Sequence, residues 1–112
     1  MAQSRDLSVI AATAGTTQTQ AGGTVINGDV CLVTTANASD AVTLPANLPK
    51  GTLVHLVNLS AAAGLLYPPV GGAINGGSVD ASVAIAASIS LLIYVTASGS
   101  SSTYRAVKTA AL

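Results

Sequence analysis

The chain has 112 residues, formal net charge zero, 7% charged residues and 50% apolar ones. That length suits one domain, and four Lys or Arg are too few for the basic stripe a nucleic-acid binder needs. No run reaches the ~18 continuous apolar residues of a membrane helix, and the single cysteine, Cys31, excludes an intrachain disulfide. With so few charges, solubility must rest on Ser, Thr, Asn and Gln, so the apolar excess points to a surface hidden between subunits.

Residues 1–20 read as an extended N-terminal arm on a domain spanning 21–112. Leu7, Val9 and Ile10 give the arm a brief apolar centre, the alternation at Leu7 and Val9 being compatible with one short strand, and Thr13 to Gln20 reads as an unstructured or extended linker. The apolar run Leu7 to Ala12 falls short of the ~7–15 residues of a secretory h-region. Gly22-Gly23 opens the domain. Thr24 to Ile26 and Val30 to Thr35 are β-rich, and Asn27-Gly28-Asp29 between them predicts a hairpin-type connection. Ala41 to Leu44 forms a short strand stopped by Pro45. Thr52 to Leu59 is apolar on both faces, which predicts a central strand covered twice. His55 within it reads as a core or interface histidine, and Cys31 as a buried thiol acting as a small hydrophobe.

Tyr67 to Gly77 punctuates the middle of the chain. Pro68 and Pro69 exclude helix interior and central strand. Gly71-Gly72 permits positive φ, and Asn75-Gly76 is a strong turn signal. Beyond it Val79, Ala81, Val83 and Ile85 alternate with smaller or polar residues. Ile89, Leu91, Ile93 and Val95 alternate with Ser90, Tyr94 and Thr96, the clearest strand in the chain. Ala97 to Ser102 is a Ser/Gly turn, and Tyr104 to Thr109 returns as the last strand. The sum is an all-β fold: a small antiparallel sandwich or barrel of roughly eight short strands.

The motifs of catalysis are missing from the sequence. Asp6, Asp29, Asp40 and Asp80 are scattered, no serine sits in a nucleophile elbow, and no glycine-rich turn opens a helix. One histidine and one cysteine make a poor metal set, so neither cofactor nor metal is expected.

Tyr67-Pro68-Pro69, Gly71-Gly72 and Ile74-Asn75-Gly76, with the valine-rich run after them, resemble a small all-β domain of tailed-bacteriophage structural proteins. The likeness extends upstream through Asp29-Val30, Val33-Thr34-Thr35, Val42-Thr43-Leu44-Pro45 and Gly51-Thr52-Leu53-Val54, and downstream into Ser90 to Val95 and Tyr104. The tryptophan common near the last strand of such chains is absent, and Tyr104 stands in its region. The resemblance implies a virion component made in the host cytoplasm: a capsid decoration (cement) protein, or alternatively a tail-fibre or spike module binding a receptor or glycan. Its implied partners are further copies of itself, as a homotrimer, and the major capsid protein, with neither nucleic acid nor membrane. Leu7, Val9 and Ile10 are the expected capsid-attachment residues. Pro68, Pro69, Gly71, Gly72, Asn75 and Gly76 form the structural turn motif.

Overall fold

The computed structural model describes residues 8–99 and 101–111. Among these the regular structure is entirely β: β1 (Val9–Thr13), β2 (Thr24–Val25), β3 (Val30–Thr34), β4 (Asp40–Thr43), β5 (Leu53–Asn58), β6 (Gly64–Tyr67), β7 (Ala73–Ile74), β8 (Val83–Ile85), β9 (Ile89–Ala97) and β10 (Thr103–Ala111). A six-stranded sheet has the order β1-β3-β5-β9-β10-β7, and a four-stranded sheet the order β2-β4-β6-β8.

The all-β expectation holds at this level, but the antiparallel one does not. From β1 to β6 the chain alternates between the sheets, and each strand lies parallel to the one two places before it. Three coils are wound in this way. Thus Ile10, Cys31 and Leu56 stack in register on one side, and Thr24, Val42 and Leu66 on the other. Apart from a single antiparallel bridge between Gly15 and Ala41, antiparallel pairing among the described residues comes afterwards, where β8 adds to β6 and the long β9–β10 hairpin adds to β5.

The expected hairpin at Asn27-Gly28-Asp29 is instead a corner between the sheets, since Ile26 turns fully inward and β2 pairs with β4. Gly28 is there for space. A Cβ on it would sit 3.0 Å from the Ile10 side chain. The turn at Ile74–Gly77 does follow its sequence signal. Asn75 and Gly76 take φ of 55° and 73°, and Gly77 N–H donates to Ile74 C=O at 3.0 Å. It does not lead into a hairpin partner, because β7 runs parallel to β10. Asn75 ties the two by its side chain, donating to Ala106 C=O and accepting from Ala106 N–H. Upstream, Pro68 and Pro69 are buried, and the turn through Gly71 (φ 89°) closes with Gly72 N–H on Pro69 C=O.

The inner faces of the sheets share one core, including Ile26, Val33, Val42, Leu56, Leu66, Ile85, Ile93 and Tyr104. Polar groups inside it are paired. Asn58, fully buried, donates to Ala62 and Ala86 carbonyls and accepts from Ser60 N–H. Tyr104 donates its hydroxyl to Ser102 Oγ at 2.9 Å.

The expected free arm over residues 1–20 is also corrected across its described part. β1 pairs along its whole length with β3. Ile10 and Ala12 pack on the core, and Ala14 is buried within it. Of the segment expected as a linker, Thr13 to Gln20, the first residue ends β1, and the rest lies with residues 21–23 against the four-stranded sheet. Gly15 exchanges backbone hydrogen bonds with Ala41, Gln20 C=O accepts from Thr43 Oγ1, and the Gln20 amide bonds Pro68 C=O and Asp80. A backbone ladder and buried apolar contacts outweigh the ordering entropy that the polar composition of this segment suggested would keep it loose.

Candidate interaction surface

Strand alternation gives each sheet an inner and an outer face, and the two outer faces are treated differently. Over the four-stranded sheet the chain supplies its own cover. Ala41 and Thr43 point outward from β4 yet are buried, because Gly23 sits against both and Gln18 and Gln20 cross above. Gln18 also donates to Ala38 C=O and to Asp40.

The outer face of the six-stranded sheet has no such segment laid across it among the described residues, although Ser90, at the β9 end of one row, is buried. Register aligns Val9, Val30, His55, Leu92 and Val107 in one row across five strands. Beside it run Ala11, Leu32 and Val57 on one side, and Leu53, Tyr94 and Arg105 on the other. Val9 is 61% exposed, Val107 49% and Leu53 45%. With strands ~4.8 Å apart and ~3.3 Å per residue, these rows span about 20 by 15 Å, on the order of 300 Å² in plan. That is the size at which the largest apolar patch on a monomer is often functional. Arg105 is the one fixed charge in the rows. The face is broad, apolar and almost uncharged.

His55 therefore stands half-buried at the middle of this face rather than in the core. It borders a shallow cleft of about 480 Å³ lined by Asp29, Val30, Gly51, Thr52, Leu53 and Leu92. β5 is central, as expected from its sequence, but a single copy covers only one of its faces. Cys31 is fully buried; burial pushes its thiol above the usual range, and it donates weakly to Gly28 C=O at 3.5 Å. Asp40 is buried with its carboxylate accepting from Asn37 and Ala36 N–H, which holds its pKa below the usual carboxylate range, Asn37 foremost. Among the described residues no three of His, Cys, Asp and Glu gather as a metal site would require.

The expected attachment residues do not form one patch. Leu7 lies outside the described residues, Val9 joins the bare outer face, and Ile10 points the other way into the core. The six turn residues stay together, but as scaffold. Pro68 and Gly72 are buried, and Asp80 holds the loop by accepting from Gly71 N–H and Gln20. Sequence reasoning did not single out the outer-face row. Its signal lay in the outward-facing residues of β3, β5 and β9 (Val30, Leu32, Val57 and Leu92), apolar where a solvated face would be polar.

Comparison with protein-family models, curated proteins and solved structures finds no match to this chain.

Proposed function

We propose that the chain is a non-enzymatic structural protein of a tailed-phage virion, a decoration (cement) protein that binds the outer surface of the head and stabilises it. The observation that carries this reading is the asymmetry of the two outer faces. One sheet is covered along β4 by the protein's own residues 15–23, with Val25 left exposed at its edge, while the other presents an uncovered apolar surface whose rows hold one fixed charge, Arg105. A surface of that kind is of use only when buried, either on further copies or on a shell. The order of the turn and strand motifs supplies the phage context, and the same resemblance favours a homotrimer, with the major capsid protein as its partner.

The test has two readings. Sedimentation equilibrium is expected to return three times the 10.9 kDa protomer. Purified protein added to undecorated heads of a phage carrying this coding sequence is expected to bind at regular sites over the head, seen by electron microscopy. Labelling confined to the tail tip, or no binding to heads, overturns the decoration role.

A further inference from the structure

We propose a second contact, separate from the apolar face: the free edge of β1 pairs antiparallel with β1 of another copy across a two-fold axis. Exposed strand edges are templates for further strands, and proteins blunt them with shortness, proline, bulges or charge. Among the described residues the terminal strands β2, β7 and β8 are blunted by length, having two, two and three residues. β1 has five, reading Val-Ile-Ala-Ala-Thr, with no charge and no proline, and its register with β3 is unbroken.

The backbone phase shows what this edge offers. Val30 N–H donates to Ser8 C=O, and Ala14 N–H donates to Thr34 C=O. Parallel pairing alternates, so even-numbered residues of this segment bond β3, while the N–H and C=O of Val9, Ala11 and Thr13 point away from it. Of these six groups, only Thr13 C=O has a partner among the described residues, the Thr24 hydroxyl at 2.6 Å, and a carbonyl accepts two bonds.

A second β1 satisfies this pattern. Centred on Ala11, a two-fold places Ala11 opposite Ala11 and Val9 opposite Thr13. Every outward donor then meets an outward acceptor, giving six inter-strand hydrogen bonds. β2, β7 and β8 are too short to do the same, and the part of β10 that runs past β7 is capped at Ala106 by the Asn75 side chain and carries Lys108. Such a pairing is isologous, so it closes and removes the edge rather than propagating a fibre. Alone it buries little area and is weak. Between oligomers held on a common surface, effective concentration makes it a strut joining neighbours.

The test runs in a Leu92→Asp background, which removes association through the apolar face. Ala11→Cys is expected to yield one covalent dimer on mild oxidation at high protein concentration, because facing Cα atoms in a bonded pair lie ~5.5 Å apart. Val9→Cys is expected to crosslink at least about tenfold more slowly, since its two copies would be offset by four residues, ~13 Å. Ala11→Pro removes an outward N–H without breaking a bond to β3, and edge strands tolerate proline there. It is expected to abolish concentration-dependent pairing by sedimentation while circular dichroism stays unchanged. No dimer from Ala11→Cys, equal rates at the two positions, or pairing that survives Ala11→Pro in a folded protein each overturn the proposal. None of these outcomes depends on whether the protein decorates a head.

Discussion

Asp40 is the residue on which the corner between β3 and β4 turns. Its carboxylate satisfies two backbone N–H groups, Asn37 and Ala36, that no other group in that tight corner reaches. Those bonds favour the charged form, so the folded pKa lies below the unfolded one. The unfolded chain then binds the proton more tightly. The resulting stability is fully present above the ordinary aspartate value of ~3.9 and is lost as pH falls through the lower folded value. Urea midpoints measured from pH 6 down to pH 2 are expected to fall on acidification. Asp40→Asn is expected to lower the midpoint at pH 6 and to flatten the acid slope. An acid slope unchanged in Asp40→Asn would assign the acid sensitivity to another carboxylate.

At the scale of elements, β1 is part of the fold. Deleting residues 2–20 removes a ladder along β3, takes Ile10, Ala12 and Ala14 from the core, and uncovers Cys31, Val33 and the outer side of β4. Burial of those three side chains with the lost hydrogen bonds amounts to several kcal/mol, on the order of a small domain's whole stability. The truncated chain is therefore expected to be unfolded or molten by near-UV circular dichroism and one-dimensional NMR, and retention of native dispersion would contradict this. The same element marks the limit of what could be read in sequence. Alternation made β9 legible, and Asn75-Gly76 announced its turn, since both are local signals. Partner choice is not local. Gly28 looked like a hairpin glycine but is fixed by the Ile10 side chain, which comes from 18 residues earlier in the chain. Gln18 and Gln20 read as linker residues because the partners of their side-chain amides, Ala38, Asp40, Pro68 and Asp80, lie 20 to 60 residues away. Gly64-Leu65-Leu66-Tyr67 was missed as a strand for a similar reason: it is too short to show a period, and its pairing with β4 and β8 defines it.

For the whole molecule, sparse charge and one bare sheet face point to the same mode of association. Contacts between oppositely charged patches weaken as salt screens them, whereas apolar burial is indifferent to sodium chloride and is strengthened by sulfate. The rows through Val9, Val30, His55, Leu92 and Val107 hold no Asp, Glu or Lys, and Arg105 lies at their margin. Association through this face is therefore expected to be unchanged or stronger between 50 and 500 mM sodium chloride, a range over which the Debye length falls about threefold, and to tighten in sulfate. Leu92 sits mid-row on β9, where a carboxylate buried against an apolar partner would have no counter-charge. Leu92→Asp is expected to weaken association at least about a hundredfold by sedimentation, a loss of ~3 kcal/mol, while leaving the fold intact because the side chain faces outward. Arg105→Ala, at the margin, is expected to change it less than about threefold. Association that collapses with salt, or that responds to Arg105→Ala more than to Leu92→Asp, would show that the copies meet elsewhere.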